Sequence, residues 1–397
     1  MSRSDRIPVV PAVLKWARES AGLDLPRAAK LSGVSQSTVE SWETGNLQPT
    51  IKQLRTAAQK YHRPLAVLLL TVAPADFDAM HDFRRLDLAA GHEWSPRLHA
   101  EYKRALSQRE VLLELAEVSP ASLPTPGQQP AIASTAPIED AGAMLRRALR
   151  LDETKPDWSQ PLDALKACIR AVEALGVLVV QTQRVDVSEM KGFSVAEWPF
   201  PVIALNGGDW PRSRLFTLFH ELAHIALNAG GLCDLHEVKG SAGRSEDVEE
   251  RRCNQVAASA LMPSGVFIAD PLVSRVGNRH IWTVAELRDV SSRHGASAEA
   301  VLLRLVGLGL ATWDLYWERK AELDKGYAEA RDWERERRRQ KKGGPSYYVV
   351  HARDLGHGYV TSVLDAFYSR AISSLDVADY LDLRFDQLAK LETAVLR

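Results

Sequence analysis

The sequence has few cysteines, no long apolar run and almost no net charge. It has 3 cysteines in 397 residues, a sparse and odd number that excludes a disulfide framework and suits a reducing compartment. No apolar run approaches the roughly 18 residues that a membrane span needs. The 50 basic and 51 acidic residues leave a net charge of −1, so a supercharged or disordered chain is excluded. We expect a cytoplasmic protein that does not use a membrane, with two or three domains.

The charge is unevenly distributed along the chain. Residues 1–70 carry ten basic and five acidic side chains, which is a first indication of nucleic-acid binding. The pattern of the same stretch predicts short helices separated by turns. Gly33 can end one helix, Ser35 can cap the next, and Gly45 can close it. Two short helices joined by a turn of this kind predict a helix-turn-helix.

The spacing Val39-x-x-Trp42-Glu43-x-Gly45-x-x-x-Pro49 resembles the XRE/Cro-repressor family. The resemblance implies an all-α bundle that inserts its third helix into the major groove of DNA, and modules of this kind commonly form homodimers. Gln36 could then pair with adenine. The family often has Gln at the start of its second helix, whereas this chain has Pro26-Arg27 at that position. The alternative to DNA binding is a helical bundle that docks proteins. The implied DNA-binding residues are Arg27, Lys30, Ser35, Gln36, Ser37, Ser41 and Lys52.

The middle of the chain changes from helical to strand periodicity. Three β-branched or alternating runs, at 176–183, 192–198 and 200–206, predict a small sheet. A helix is expected from Pro211 to Ala229, and the region after 280 is mostly helical in pattern. The domains expected on this basis are 1–73 (helix-turn-helix), 74–135 (helical segment and linker), 136–275 (the segment with the small sheet) and 276–397 (helical).

The segment Phe219-His220-Glu221-Leu-Ala-His224 carries the strongest chemical signal. On a helix, residues i and i+4 share one face, so His220 and His224 can bind one metal ion. Zn2+ accepts imidazole nitrogens in a tetrahedral site, and Glu221 can take a proton from water at the open position. Apolar neighbours place this helix inside the protein, where two histidines and a glutamate need partners.

A third ligand is expected on a second helix that ends at Leu261-Met262-Pro263. Glu250 is the favoured residue, and Asn254, one turn later on the same side, could hydrogen-bond a ligating histidine. Glu249 is about 100° around the helix and should face solvent. The loop alternatives to Glu250 are Asp234, His236, Glu246 and Asp247. Candidates for stabilising an oxyanion are His236, Arg252, Tyr347, Tyr348 and His351, although each is more simply structural.

The segment from Gly192 to Pro263 resembles the ImmA/IrrE metallopeptidase family, which is gluzincin-like. The resemblance rests on Gly192-Phe193-Ser194, on Pro201 to Asn206, on Phe216 to His224 and on Glu250 to Pro263. It implies one Zn2+ per chain, held by His220, His224 and Glu250, with Glu221 as general base. The fold class expected is α+β and multidomain: an N-terminal all-α helix-turn-helix bundle, a central zincin-like small sheet with the HExxH helix, and a mostly helical C-terminal region.

The expected function is that of a zinc-dependent endopeptidase coupled to a DNA-binding domain. The resemblance implies that it cleaves a regulatory protein, a repressor or an antitoxin, and so controls transcription. The alternative is a DNA-binding autoregulator or antitoxin whose metal domain binds a partner such as a toxin, with little proteolysis. The presence of Glu221 favours the enzyme, because a binding module needs no general base. A closed structural zinc site is a third interpretation, which the absence of a fourth protein ligand in register disfavours.

Overall fold

The structure is a computed structural model with two compact units, Met1–Arg104 and Ala105–Arg397. The expected domain boundaries at 73, 135 and 275 remain predictions. No described helix is long and apolar enough to cross a bilayer. The residues described are 6–19, 23–61, 65, 67–72, 95–123, 129–154, 156–182, 184–227, 246–276, 281–340 and 344–395, with side chains at 59, 246, 247, 328 and 331–340 left out.

The first unit is the expected all-α bundle. Its elements are α1 (Pro11–Glu19), α2 (Leu25–Ser32), α3 (Gln36–Glu43), α4 (Ile51–Lys60) and a 3-10 turn (Val67–Leu69).

The turn between α2 and α3 is built by local capping. Gly33 ends α2 in the left-handed conformation, with φ of 67°, as expected of a helix-ending glycine. Ser35 then caps α3, because its hydroxyl accepts the backbone N–H of Thr38. Asp24 caps α2 in the same way through Arg27 N–H. These caps fix the helix-turn-helix predicted from the sequence.

Apolar side chains from all four helices form one core in this unit, including Leu14, Val39, Trp42 and Leu54. Burial of this area is the main favourable contribution to its stability.

The second unit begins within α5 (Pro96–Val118), which contains the boundary between the units. Its strands are β1 (Leu178–Thr182), β2 (Gly192–Val195) and β3 (Val202–Asn206). Its further helices are α6 (Ile138–Ala148), α7 (Leu151–Thr154), α8 (Pro161–Glu173), α9 (Pro211–Ala226), α10 (Glu246–Leu261), α11 (Ser264–Ile268), α12 (Val284–His294), α13 (Ala298–Gly307), α14 (Trp313–Gln340), α15 (Tyr347–Leu355), α16 (His357–Tyr368), α17 (Ser374–Tyr380) and α18 (Leu388–Val395), with 3-10 turns at Pro120–Ser122, Val273–Arg275 and Phe385–Gln387.

The three strands form one mixed sheet in the order β1-β3-β2. β1 runs parallel to β3, with Leu178 opposite Val202, and β2 runs antiparallel to β3, with Phe193 opposite Ala204. Every strand residue is buried. Strands covered on both faces are mostly apolar rather than alternating, and here only Gln181, Thr182 and Asn206, toward the strand ends, are polar in the runs 178–182 and 202–206.

The sheet and the helices packed around α9 and α10 form the centre of this unit. α9 packs against β2, β3, α8 and α10, while α10 also packs against α6 and α13. The core includes Phe219, Leu222, Val256, Ala257 and Trp282. The pattern predicted a buried helix here, and the structure shows that α9 is covered from several directions.

The C-terminal helices cover the outer side of β1. α15 and α16 pack against this strand, and Gly356 lies between them with φ of 93°. A Cβ at Gly356 would lie 2.5 Å from the Val179 carbonyl oxygen. Only glycine combines this conformation with so close an approach. The expected mostly helical C-terminal region is therefore joined to the sheet.

Candidate metal centre

The two histidines of α9 lie side by side, as their spacing requires. His220 Nε2 and His224 Nε2 are 3.0 Å apart, and the ring centroids are 4.7 Å apart. The His224 side chain is 1% exposed and that of His220 is 14% exposed. His224 is therefore the deeper residue of the pair, and solvent reaches the pair at His220.

Glu250 of α10 reaches both imidazoles. Its Oε2 lies 3.3 Å from His220 Nε2, and its Oε1 lies 3.3 Å from His224 Nε2. Thirty residues of chain separate Glu250 from His220, so it is the packing of α10 on α9 that brings the three side chains together. Among the described residues, this is a group of side chains able to hold a metal ion, with ligand atoms within 4.8 Å of one another.

The distances between these atoms fit a tetrahedral metal site. Zinc bonds of about 2.0–2.1 Å place neighbouring ligand atoms about 3.3 Å apart in a tetrahedron. The observed separations are 3.0, 3.3 and 3.3 Å. Two imidazoles and one carboxylate leave a fourth position open, and Glu250 is 33% exposed, so solvent reaches the cluster. The donor set therefore fits an open site better than a closed structural one.

The charges in the cluster favour a cation. Burial would lower the pKa of His220, but Glu250 and Glu221 raise it above the usual value. Burial would likewise raise the pKa of Glu250, but the hydrogen bonds and charges of the two histidines lower it to about 2. Glu250 is thus a carboxylate at neutral pH. The position where it favours a proton on His220 is one where a metal cation would bind instead.

Glu221 is held in place by a hydrogen bond from a strand of the sheet. The Ser194 hydroxyl of β2 donates a 2.7 Å hydrogen bond to Glu221 Oε2, and both side chains are at most 2% exposed. Burial raises the pKa of Glu221. Gly192 allows β2 to come this close, because a Cβ there would lie 2.4 Å from Thr217 Cγ2 and 3.5 Å from Glu221 Oε1. The motif Gly192-Phe193-Ser194 did not by itself reveal either contact.

Two side chains of α10 face the other nitrogen of His224. Cys253 Sγ lies 3.3 Å from His224 Nδ1, and Glu249 Oε1 lies 3.9 Å from it. The helical pattern predicted that Glu249 faces solvent. Glu249 is 48% exposed, but it also approaches the site. The contact of Cys253 was missed, because an apolar helix face does not reveal which histidine it meets.

His220 has different surroundings. Its Nδ1 is buried and makes no hydrogen bond of ordinary geometry to any described residue. Asn254 lies close enough that its side chain contributes to the raised pKa of His220. Phe216, one turn earlier on α9, stacks on the ring at a centroid distance of 6.4 Å. The proposed role of Asn254 beside a ligating histidine stays a prediction.

The other candidates for the site either make different contacts or lie outside the described residues. Arg252 donates to the carbonyl oxygens of Ala133 and Ala136. His351 contacts the Leu381 carbonyl oxygen, and its ring stacks on the exposed ring of Tyr347. The loop candidates Asp234 and His236 lie outside the described residues, as do the side chains of Glu246 and Asp247.

The residues expected to contact DNA lie mostly on the surface of the first unit. Ser41 is half-buried, and its hydroxyl donates to the Ser37 carbonyl oxygen. Gln36 donates to Glu40 Oε1 at 2.8 Å, so an acidic side chain shares the outer face of α3. That contact was not anticipated. The exposed members of the predicted set are Arg27, Lys30, Ser35, Gln36, Ser37 and Lys52.

The fold and the site define a protein of two parts, a helix-turn-helix bundle and a metallopeptidase-like domain with a His-His-Glu cluster. Comparison with known families agrees: residues 12–69 match a helix-turn-helix domain, and residues 172–306 match the IrrE N-terminal-like domain of peptidase family M78. No curated protein matches the chain. The chain thus combines an IrrE N-terminal-like domain with an N-terminal helix-turn-helix domain, which confirms the resemblances drawn from its motifs.

Proposed function

We propose that this chain is a zinc-dependent endopeptidase that acts together with its DNA-binding helix-turn-helix domain. Its substrate would be a regulatory protein, a repressor or an antitoxin, whose cleavage changes transcription. The observation that carries the proposal is the convergence of Glu250 on His220 and His224, with the buried Glu221 on the next position of the same helix. The matching peptidase-family domain supports it.

The side chains have distinct roles in this proposal. His220, His224 and Glu250 would hold one Zn2+ per chain. The ion would supply a Lewis acid that activates water and polarises the peptide carbonyl. Glu221 would accept a proton from water and deliver it to the leaving amine, a role for which a carboxylate pKa raised toward neutrality is suited. Ser194 would hold Glu221 in one orientation while it does so.

A substitution that separates metal binding from chemistry tests the enzyme proposal. Glu221→Gln should keep one zinc per chain and lose cleavage by at least about 100-fold, the scale of a general base. Glu117→Gln removes an exposed carboxylate far from the cluster in sequence and should cleave normally. The substrate is sought as the protein that shortens when wild type, but not Glu221→Gln, is induced. Cleavage at the wild-type rate by Glu221→Gln contradicts the proposal, and a chain that binds partners without shortening any favours the autoregulator.

The DNA-binding part of the proposal has its own test. Binding of the full chain to a random-sequence duplex should weaken steeply as salt rises, because phosphate contacts release counterions. Lys30→Ala should weaken binding and reduce the salt slope by about 1, whereas Gln36→Ala should change sequence preference. Lys390→Ala, in the second unit, is the matched control. Binding that does not depend on salt, or no binding at all, would indicate a protein-docking bundle instead.

A further inference from the structure

The two nitrogens of His224 face different groups. Nε2 lies 3.0 Å from His220 Nε2 and 3.3 Å from Glu250 Oε1, so it belongs to the candidate metal cluster. Nδ1, on the opposite side of the five-membered ring, lies 3.3 Å from Cys253 Sγ. The ring is therefore held between two side chains of one helix, α10.

The geometry of α10 explains this arrangement. Glu250 and Cys253 are three residues apart, and residues i and i+3 lie on the same face of a helix. The carboxylate reaches the metal-facing nitrogen, and the thiol reaches the far nitrogen of the same imidazole. One rigid element thus sets both ends of the His224 ring.

Burial makes the contact with Cys253 consequential. His224 is 1% exposed and Cys253 is fully buried, so water cannot easily replace either partner. A neutral imidazole that offers Nε2 to a metal carries its hydrogen on Nδ1, and a buried N–H without an acceptor costs about 1–3 kcal/mol. Glu249 Oε1, at 3.9 Å, is too distant for a hydrogen bond and can only add its charge.

We propose that Cys253 is a positioning residue for the metal centre, whose sulfur accepts the Nδ1–H of His224. This contact selects the tautomer with a free Nε2 lone pair and fixes the plane of the ring. The thiol itself is not a ligand, because its sulfur lies at Nδ1 of His224, and the ligand atoms that converge within 4.8 Å of one another come from His220, His224 and Glu250. The inference rests on the proposed metal site but not on proteolysis.

The test is a Zn2+ competition titration of the full chain against a chromophoric chelator. Cys253→Ala removes the acceptor and should weaken zinc affinity about 10-fold, at the lower end of the effect of groups that orient a metal ligand. Cys253→Ser restores an acceptor and should recover most of the loss. Cys168→Ser changes another fully buried cysteine, on α8, and should leave affinity unchanged.

The ranking of the variants by zinc affinity distinguishes a hydrogen-bonding role of Cys253 from a packing role. If Cys253 only fills space, the polar Ser variant binds zinc no better than the Ala variant, and that result overturns the proposal. Cys253→Val fills the space without an acceptor, and it takes the place of Cys253→Ala if that variant does not fold by circular dichroism. Wild-type affinity in the Ala or Val variant also overturns the proposal.

A Co2+-substituted sample adds a spectroscopic readout. Wild type and Cys253→Ser should both lack a sulfur-to-cobalt charge-transfer band, and a strong band in wild type would show that Cys253 is a ligand, which contradicts the proposal. A wild-type chain that binds no metal would refute the metal site itself, and this inference with it. Loss of proteolysis with intact zinc binding affects only the proposed function.

Discussion

Ser194 of β2 donates its hydroxyl to Glu221 of α9 across 2.7 Å, linking an outer strand of the sheet to the helix that carries the candidate metal cluster. The two residues are 27 positions apart and almost fully buried. This donor at Oε2 favours one orientation of the carboxylate. The sheet is therefore part of the site as well as part of the scaffold.

Removal of the Ser194 hydroxyl should impair turnover without releasing metal. Ser194→Ala frees the Glu221 carboxylate to rotate, and misorientation of a general base should lower kcat about 10-fold while KM changes little. Steady-state cleavage assays and metal analysis of the same sample provide the two readouts. Ser188→Ala, at an exposed serine on the preceding turn, is the control. Loss of zinc in Ser194→Ala would show that the hydroxyl supports the ligands instead.

Each proposed ligand should be needed for metal binding. His220→Ala, His224→Ala and Glu250→Gln should reduce bound zinc from one ion per chain to nearly none, measured by elemental analysis after desalting. In the wild type, free zinc at 100 times its dissociation constant should stabilise the folded chain by about 2.7 kcal/mol. Glu249→Gln is the neighbouring control and should retain zinc. Unchanged zinc in Glu250→Gln would remove Glu250 from the ligand set.

The first unit depends on a buried ion pair. Arg18 of α1 donates to both carboxylate oxygens of Glu43 of α3, at 2.6 and 2.9 Å, and to the Leu23 carbonyl oxygen. Both side chains are 8% exposed. Glu43→Gln leaves the buried guanidinium without its counter-charge and should destabilise this unit by about 3 kcal/mol.

Thermal unfolding followed by circular dichroism measures that loss. The matched control is Glu19→Gln, which removes a more exposed and more distant carboxylate beside the same Arg18, at 3.4 Å. It should cost well under 1 kcal/mol. Equal losses of stability in the two variants would contradict the prediction, because they would show that burial of the Arg18–Glu43 pair adds nothing to the free energy of unfolding.

The second unit should lose stability in acid through Asp270. Burial would raise the pKa of Asp270, but hydrogen bonds from Arg293, the Leu272 backbone and His294 lower it from 3.8 to about 2. A carboxylate whose folded-state pKa is depressed adds stability above its unfolded pKa and loses it as pH falls through the folded value. The contribution, about 2 kcal/mol at neutral pH, should disappear between about pH 4 and pH 2.

Asp270→Asn should therefore unfold at a lower temperature at pH 7 and show a smaller decline between pH 4 and pH 2 than wild type. Asp289→Asn removes the exposed partner of the same Arg293 and is the matched control, with little expected change. Parallel pH profiles for wild type and Asp270→Asn would contradict the assignment.

The elements of this protein were largely predictable because their signals are local. Gly33 and Ser35 mark the turn of the helix-turn-helix, and the β-branched runs mark the three strands that the structure shows. The expected strands were longer, since 176–183 narrows to Leu178–Thr182 and 192–198 to Gly192–Val195. Strand ends depend on pairing partners, which periodicity does not contain.

The sequence by itself determined that His220 and His224 share a face, because four residues of α-helix place two side chains one above the other whatever surrounds them. The motif from Glu250 to Pro263 also indicated Glu250 as the third ligand. Only the tertiary structure decided that Glu250 meets both imidazoles, that Ser194 holds Glu221 and that Cys253 meets the far side of His224. Those contacts join different elements, and their geometry follows from how β2 and α10 pack against α9, where buried volume and backbone approach set distances that no local pattern encodes.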